Sequence, residues 1–174
     1  MYYYENINKN TISSVKTLFP LNKGILLVKH SPTCPGLRLF GLGPKLKPTN
    51  GLSKLQNFFD KNAFWARGRN KKQISQMLYH STVVSSLWKN NELIGFGRAT
   101  SDYVFRAVLW DVVIASNHQG QGLGKIIINS ILTDKKIESA KRIYLMTTNC
   151  VDFYKQLGFK KCQNQSLLIF RNNI

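Results

Sequence analysis

Apolar residues recur every three or four positions in three stretches of the chain: after Gly51, around residues 72–78, and from residue 123 to about Leu132. This spacing brings side chains onto one face of an α-helix. The apolar positions are Leu52, Leu55, Phe58 and Phe59 in the first stretch, Ile74, Met77 and Leu78 in the second, and Leu123, Ile127 and Ile131 in the third. The pattern therefore predicts three amphipathic helices.

Runs rich in β-branched and other apolar residues lie between these helices. Residues 81–88 and 93–100 are separated by the polar residues 89–92, which predicts an antiparallel hairpin with a four-residue loop. Residues 107–114 are almost continuously apolar, and such a run is typical of a central strand that is covered on both faces. The middle of the chain therefore predicts three consecutive strands.

The C-terminal part continues to mix the two kinds of pattern. Residues 142–146 predict another strand, residues 150–157 predict a short helix that ends at Gly158, and residues 167–170 predict a last strand. Strands and helices mixed in this order are typical of an α/β or α+β domain with a mixed sheet.

All five prolines of the chain lie in residues 1–50. Residues 15–19 and 25–28 are candidates for short strands in this region. Because prolines interrupt regular elements, we expect residues 1–50 to form an N-terminal extension that is extended, peripheral or partly disordered. Residues 51–174 would then form a single domain.

Composition narrows the class of protein further. A chain of 174 residues with 43% hydrophobic side chains is long and apolar enough for one globular core. The three cysteines are odd in number and lack a metal-ligand spacing, which fits free thiols in a reducing compartment and no metal site. The chain has no apolar run long enough for a bilayer span and no recognisable signal or transit peptide. We therefore expect no membrane association.

The net charge of +17 is unevenly distributed. Residues 1–80 carry 13 Lys or Arg against two acidic residues, and residues 81–174 carry 12 against six. Such a field attracts polyanions, so the basic N-terminal half is a candidate for contact with RNA or the ribosome. Compositional drift is the alternative, because Lys, Asn and Ile are abundant here, as they are in proteins from AT-rich genomes.

A glycine-rich loop follows the apolar run 107–114. It consists of Gln119, Gly120, Gln121, Gly122, Leu123 and Gly124 and leads into Lys125. Glycines at alternate positions let the backbone turn tightly and approach a ligand closely, and the first turn of the next helix offers free N–H groups to an anion. The loop therefore predicts a phosphate-binding site. A tight loop that only lets the helix pack on the strand is the alternative.

The order of the motifs resembles the GNAT acetyltransferase superfamily. The resemblance covers roughly residues 81–171, and residues 110–159 carry most of it: a strand, a Gln-x-x-Gly-x-Gly loop, a helix, a strand, an Asn, and Phe-Tyr-Lys-Gln-Leu-Gly-Phe. Residues 95–102 and 109–113 are similar to plastid and cyanobacterial members, which include plant-type serotonin N-acetyltransferases and plastid protein acetyltransferases. The resemblance implies an α+β fold with α/β/α layers, in which helices flank a twisted, mixed, mostly antiparallel sheet.

The resemblance also implies an activity and a set of site residues. Acetyl-CoA would be the donor, and its acetyl group would pass directly to a primary amine of a protein or of a small aralkylamine. The implied CoA-binding residues are Val112, Val113 and Ile114 for the pantetheine arm, Gln119, Gly120, Gln121, Gly122, Leu123, Gly124 and Lys125 for the pyrophosphate, and Asn149 and Tyr154 near the thioester. One strand N–H would polarise the thioester carbonyl.

The implied acid is Tyr154, and its phenol is protonated near neutral pH because an unperturbed tyrosine titrates near ~10. Its alternative role is an amphipathic core residue. Asp111 lies in an apolar strand, where it would share a face with Leu109 and Val113. Burial would raise the pKa of Asp111 and make it a better base, while a structural carboxylate is the alternative. Asp102 is a second candidate base, and a solvated turn residue is its alternative.

One departure from the subgroup concerns the acceptor. Related proteins often have an acid just before the motif Asn, whereas this chain has Thr147 and Thr148 before Asn149. A hydroxyl cannot act as a carboxylate base, so the departure leaves protein amines open as acceptors. Our preferred interpretation of the location is a plastid, with a plastid-encoded gene, and a bacterial cytoplasm is the alternative. For the oligomeric state, a monomer and a homodimer both remain open.

Two other classes of function are alternatives to the acetyltransferase. A basic RNA- or ribosome-associated protein that keeps the fold without catalysis is the main alternative. A dinucleotide-binding oxidoreductase is disfavoured, because its glycine loop follows an early strand, whereas the loop here comes late in the chain.

Overall fold

The computed structural model describes residues 15–21, 24–30 and 50–170, with backbone only for residues 15–20. In chain order, the elements are β1 (Val15–Leu21), β2 (Ile25–His30), α1 (Gly51–Asn62), α2 (Lys71–Tyr79), β3 (Val83–Lys89), β4 (Glu92–Ser101), β5 (Arg106–Ile114), α3 (Leu123–Leu132), α4 (Lys135–Glu138), β6 (Arg142–Leu145) and α5 (Val151–Lys155). Single turns of 3₁₀-helix lie at Phe64–Ala66 and Ser116–His118. All three predicted amphipathic helices are confirmed.

The strands form one sheet in the order β1-β2-β3-β4-β5-β6. Each strand from β1 to β5 runs antiparallel to its neighbour, and β6 runs parallel to β5. A parallel neighbour requires a crossover, which α3 and α4 supply between these two strands. The prediction of a mixed, mostly antiparallel sheet flanked by helices is confirmed.

Two hydrophobic clusters cover opposite faces of the sheet. The first joins α1 and α2 to the sheet through Leu55, Phe59 and Ile74, and the second joins α3 and α4 to it through Ile127 and Ile137. Helices on both faces give the three layers that a sheet with two apolar faces requires. α5 packs at the edge of the second cluster.

The start of α2 illustrates how local sequence fixes an element. The side chain of Asn70 accepts a hydrogen bond from the N–H of Gln73, and the side chain of Gln73 accepts one from the N–H of Asn70. This capping box satisfies two backbone donors that the helix cannot satisfy itself. It ends the loop between α1 and α2 at a defined residue.

The β3–β4 hairpin is confirmed, but its loop is tighter than the four residues predicted. The strands pair up to Lys89 and Glu92, which leaves only Asn90 and Asn91 as the turn, with φ of 48° and 66°. Two residues with positive φ form the hairpin turn whose twist matches paired strands. Asparagine accepts this conformation more readily than most residues do.

Three other expectations about the fold need correction. β1 and β2 belong to the same sheet as the rest, with Ile25, Leu27 and Val28 buried, so a boundary at residue 50 does not separate them from the domain. The strand predicted at residues 167–170 is absent: this segment has no regular structure, and its apolar side chains are exposed. β5 is not fully covered, because it is the fifth strand of six and several of its residues are only half-buried.

Two glycines of β4 bring α3 close to the sheet. A Cβ atom on Gly97 would lie 2.5 Å from Cγ2 of Ile127 and 3.2 Å from Cδ1 of Ile131. A Cβ on Gly95 would likewise lie 3.0 Å from Cδ1 of Ile127 in α3, and 2.9 Å from Cδ1 of Ile114 in β5. The absence of side chains here sets the distance between α3 and the sheet, and with it the position of the loop that precedes α3.

We predict that Gly97→Ala destabilises the fold by about 1–3 kcal/mol, because the added methyl overpacks the interface with α3. Ile127→Leu moves the methyl branch from Cβ to Cγ and removes the clashing atom. The loss in the free energy of unfolding should therefore be smaller in the double variant than the sum of the losses in the two single variants. Urea denaturation followed by circular dichroism measures all three, and a Gly97→Ala protein as stable as the wild type would contradict this account.

Candidate active site

β5 and β6 stop pairing where β6 ends, partway along β5. We refer to the space beside β5 beyond this point as the cleft. The two strands are registered from Arg106 and Arg142 to Leu109 and Leu145. Beyond Leu109, β5 continues to Ile114 and pairs only with β4 among the described residues. Its other edge pairs with no strand there. The carbonyl oxygen of Ile114 accepts a hydrogen bond from Nε2 of Gln119 at 3.2 Å, and the remaining backbone groups of this edge are a template for an extended ligand.

A β-bulge lies in this open part of β5. Phe96 pairs with Val113 and Arg98 pairs with Trp110, so Gly97 faces both Asp111 and Val112. Asp111 has a φ of 52°, an uncommon conformation for a residue other than glycine. The bulge inserts one residue and bends the strand away from regular pairing.

The bulge also changes which side chains share a face. Leu109 belongs to the cluster under α3, whereas Val113 belongs to the cluster under α1 and α2. The expectation that Asp111 shares one face with both is therefore wrong. Strict alternation holds only when no residue is inserted into the strand.

The glycine-rich loop lies at the end of β5 and forms the entrance of α3. Gly120 and Gly122 have φ of 74° and 75°, and a Cβ on either would meet nothing within 4 Å. The N–H groups of residues 120–125 donate to no acceptor in the described part of the chain. Nδ1 of His118, buried at the start of the loop, likewise has no partner there. The loop therefore presents consecutive free donors on an open surface.

The third glycine of the loop has a different role. A Cβ on Gly124 would lie 3.0 Å from Cζ of Phe153, so its absence lets α5 pack against the first turn of α3. This contact brings the next residue, Tyr154, beside the loop. The Tyr154 ring lies between Phe153, 5.1 Å away, and Phe159, 5.8 Å away, measured between ring centroids.

The phenol of Tyr154 is protonated over the whole physiological range. Burial raises the pKa of Tyr154 to about 12, with a smaller electrostatic contribution from the nearby Cys150. A buried phenol without a cationic neighbour resists ionisation. The group is therefore available as a hydrogen-bond donor.

The segment between β6 and α5 carries the predicted Asn149. This residue is exposed, and its side-chain oxygen accepts a hydrogen bond from Sγ of Cys150 at 3.3 Å. The hydroxyl of Thr147 accepts a hydrogen bond from the N–H of Cys150 at 3.1 Å. Thr147 therefore shapes the turn that leads into α5.

Asp111 lies in an ion-pair cluster. Its Oδ2 atom lies 2.7 Å from Nε of Arg98 and 3.2 Å from Nη1 of Arg69, and only 5% of its side chain is exposed. Burial alone raises the pKa of Asp111, but the charges and hydrogen bonds of Arg98 and Arg69 outweigh it and hold the pKa below its usual value. The expectation of a raised pKa is wrong, because the sequence does not show the two partners.

The sequence matches the acetyltransferase (GNAT) family over residues 53–159. This chain belongs to the GNAT acetyltransferase family. The match covers both helices on the first face, the cleft, the glycine-rich loop and α5. The identification as an acetyltransferase is thereby confirmed.

Sequence relatives of this family member include proteins of red algae and plants. An uncharacterised N-acetyltransferase ycf52 of Pyropia yezoensis is 32% identical over 161 residues, which cover 90% of this chain and 86% of the relative. The ycf52 protein of Gracilaria tenuistipitata var. liui is 43% identical over 100 residues, 55% of this chain and 54% of the relative. A chloroplastic GCN5-related N-acetyltransferase 2 of Arabidopsis thaliana is 40% identical over 73 residues, 41% and 28% of the two chains.

Solved structures of GNAT proteins share the fold. A protein from Deinococcus radiodurans superposes with a TM-score of 0.61 at 18% identity and covers 87% of this chain and 93% of its own. A GNAT protein from Streptococcus pneumoniae gives 0.60 at 20% identity, covering 71% and 92%. At these identities the likeness concerns the fold alone.

Asp102, the second candidate base in this GNAT chain, is a turn residue. Its Oδ1 atom accepts hydrogen bonds from the N–H groups of Val104, Phe105 and Arg106 at 2.8–3.0 Å. The bonds from Arg106 and Val104 contribute most to lowering the pKa of Asp102. These contacts favour the turn interpretation over the catalytic one.

The loop between α1 and α2 was not predicted as part of the site. At the start of the loop, Oδ1 of Asn62 accepts hydrogen bonds from N and Oγ of Ser116, just after β5, at 3.2 and 3.1 Å. At its end, Arg69 forms an ion pair with Asp111 of β5. This loop also carries most of the basic run 67–72. Since any solvated loop can carry such a run, the charges alone could not reveal the attachment.

No group of three or more His, Cys, Asp or Glu side chains is arranged to hold a metal ion in the described part of the chain. Among the same residues, no helix combines the length and apolar character needed to cross a membrane.

We predict that Asp111→Asn destabilises the protein by about 2–3 kcal/mol at pH 7. Breaking a buried ion pair costs about 3–5 kcal/mol, and the cost is lower here because 29% of the Arg69 side chain is exposed. A lowered folded-state pKa stabilises the protein above the unfolded pKa of about 3.9, and this stabilisation is lost as pH falls through the folded pKa. The difference from the wild type should therefore shrink below pH ~4.

The matched control is Asp152→Asn, which breaks the exposed pair with Lys155. Pairs of this kind contribute at most about 1 kcal/mol. Urea denaturation at pH 7 and pH 3 measures both variants. Equal effects of the two changes at pH 7 would contradict the importance of the Asp111 cluster.

Proposed function

We propose that this protein transfers the acetyl group of acetyl-CoA directly to a primary amine. The observation that carries the proposal is the open edge of β5, which lies between the donor-rich glycine loop and Tyr154. An anion site, a strand edge and a hydrogen-bond donor in this order match the consecutive parts of acetyl-CoA: pyrophosphate, pantetheine arm and thioester.

The pyrophosphate fits the glycine loop on physical grounds. The free N–H groups of residues 120–125 and the positive end of the α3 dipole favour an anion. The open space beside Gly120 and Gly122 lets the anion approach the backbone. In the proposal, Gln119, Gln121, Leu123 and Gly124 complete the loop, and the exposed Lys125 adds a positive charge in the first turn of α3.

The pantetheine arm fits the open edge of β5. Val112, Val113 and Ile114 follow the bulge, and β6 no longer pairs with β5 there. The amide groups of the arm would pair with this edge as an added strand does. One of the same backbone N–H groups would donate to the thioester oxygen, and Asn149 would contact the arm from the segment that leads into α5.

Tyr154 is proposed to donate a hydrogen bond to the departing sulfur. Its pKa of about 12 lies about 3.5 units above that of an ordinary thiol near 8.5, so full transfer of its proton to a free thiolate would cost about 5 kcal/mol. Stabilisation of the thiolate by a hydrogen bond avoids this cost. The amine, which must lose a proton when it becomes an amide, can supply the proton that the sulfur finally takes.

No side chain is proposed as the general base. The Asp111 carboxylate is neutralised by two guanidinium groups, and Asp102 holds a turn. The acceptor would therefore lose its proton to solvent before it attacks. Lysine side chains, peptide N-termini and small aralkylamines all remain acceptor candidates, and parallel assays on the three classes distinguish them.

A plastid is the proposed location. Two Arabidopsis relatives are named as chloroplastic, which is consistent with this assignment. Encoding within the organelle is a further part of the proposal, supported by the abundance of Lys, Asn and Ile.

We predict that titration calorimetry detects CoA binding and that Lys125→Met weakens it about five- to tenfold, the effect of roughly 1 kcal/mol of lost charge contact. Lys135→Met, which removes an equally exposed charge on α4, is the control and should change the affinity less than twofold. Pantetheine, which lacks the pyrophosphate, should bind much more weakly than CoA. A well-folded wild-type protein that binds no CoA would refute the proposed function.

We predict that Tyr154→Phe lowers kcat by about 100-fold or more, in the range for loss of a hydrogen-bond donor to the charge that develops in the transition state, with CoA affinity nearly unchanged. Tyr79→Phe alters an exposed tyrosine of α2 and should leave kcat unchanged. A loss mainly in CoA binding would speak against the assigned role.

The pH profile provides an independent check. Because the pKa of Tyr154 is raised to about 12, its phenol stays protonated and active as a donor at all lower pH values. We therefore predict that kcat/KM rises with pH as the amine deprotonates and shows no descending limb below pH ~11. A descending limb centred near pH 8–10 that Tyr154→Phe abolishes would contradict the raised pKa.

A further inference from the structure

The carboxylate of Asp111 joins three segments that are far apart in the sequence. Its Oδ2 atom binds Arg98 of β4 at 2.7 Å and Arg69 of the α1–α2 loop at 3.2 Å, and Asp111 itself occupies the bulge of β5. The proposed chemistry makes no use of this carboxylate, although it lies in the strand that would hold the thioester. We therefore consider a role of Asp111 other than proton transfer, namely the position of the segments that it joins.

Both arginines are held in place by further contacts. The guanidinium of Arg69 lies over the ring of Phe59, 5.3 Å from the centroid, and that of Arg98 lies over Trp110 at 5.6 Å. Nη1 of Arg98 also lies 3.4 Å from Oγ of Ser81. Because the planar groups rest on aromatic rings, the cluster has one defined geometry.

The second attachment of the α1–α2 loop lies just beyond the other end of the open edge. Asn62 binds Ser116, two residues after the last residue of β5. The loop is thus fixed near both ends of the segment of β5 that has lost its β6 partner. Between the two attachments, the loop exposes the aromatic side chains of Phe64 and Trp65, at 62% and 50%.

This loop covers the face of β5 opposite to α3. The donor's anchor and Tyr154 both belong to elements that pack with the α3 cluster. An amine that approaches the thioester must come from a side that these elements leave free, and the α1–α2 loop borders that side.

We propose that Asp111 is a positioning residue that, through Arg69, fixes the α1–α2 loop at the distance from β5 that the amine acceptor requires. This inference rests on the proposed function. Without the Arg69 guanidinium, this end of the loop keeps its hydrogen bonds to α1, from Nε2 of Gln56 to the carbonyl oxygen of Arg69 and from the N–H of Gly68 to Asp60, but loses its attachment to β5. The loop can then shift relative to β5, while the glycine-rich loop and α5, which pack with the other cluster, keep their places. The cluster thereby affects the acceptor and leaves the donor site unchanged.

The test compares two changes in the same loop. Arg69→Met removes the charge that reaches Asp111 and keeps an apolar stem over Phe59. Arg67→Met is the matched control, because Nε of Arg67 binds only the backbone oxygen of Asp60, at 3.2 Å, among the described residues. Hydrogen exchange followed by mass spectrometry should show faster exchange of the amides of residues 63–68 in Arg69→Met than in Arg67→Met. Equal exchange would overturn the proposal.

Steady-state kinetics separate the acceptor from the donor. Arg69→Met should raise the acceptor KM about tenfold and change the CoA Kd less than twofold, whereas Arg67→Met should change neither. Arg69→Lys, which keeps the charge, should recover part of the loss. Unchanged acceptor KM in Arg69→Met, or an equal loss in CoA affinity, would overturn the proposal.

A double-variant cycle identifies Asp111 as the partner. In the Asp111→Asn background, Arg69→Met should change kcat/KM less than twofold, because the interaction is already lost. Independent effects that multiply would overturn the assignment. Failure of the wild type to bind CoA would refute the proposed function, while the exchange comparison would still decide whether Arg69 holds the loop.

Discussion

The candidate site depends on one departure from regular pairing in β5. Backbone N–H and C=O groups in a sheet are almost always satisfied by a neighbouring strand. Beyond Leu109, β5 has such a neighbour on one side only among the described residues, and the bulge at Asp111 lies within this part. This interruption leaves the edge of β5 free for a ligand. The glycine-rich loop and α5 then lie next to that free edge.

The same strand shows why burial alone is a poor guide to acid–base chemistry. A lone buried aspartate would have a raised pKa and could accept a proton. In Asp111 the guanidinium groups of Arg69 and Arg98 reverse the direction. The charge then contributes to structure, while Tyr154, whose neighbours offer no compensating cation, keeps its proton. The neighbours of these two residues thus keep Asp111 charged and Tyr154 neutral.

Elements with strong local patterns could be predicted from the sequence. α1, α2, α3 and β5 have continuous or periodic apolar positions, and the order of strand, glycine-rich loop and helix could be read from the sequence. The bulge could not be predicted, because an inserted residue leaves no mark on an already apolar run. The strand expected at residues 167–170 is absent, because a short apolar run forms a strand only when it pairs with a neighbour, and this segment pairs with none of the described strands. The place of β2 inside the main sheet was not predicted, because the strand that joins it to the rest of the sheet, β3, lies more than 50 residues away in the sequence.

The two walls of the cleft differ in how firmly they are held. β5 pairs with β4 along nearly its whole length and lies beneath packed helices. β6 is a four-residue strand that only β5 holds within the described part of the sheet, and its register ends where the cleft begins. Elements with few backbone bonds open at lower free energy than the core does. The cleft thus has one fixed wall and one compliant wall, so a change in its width would come from β6 and leave the bulge, with its ion pairs, undisturbed.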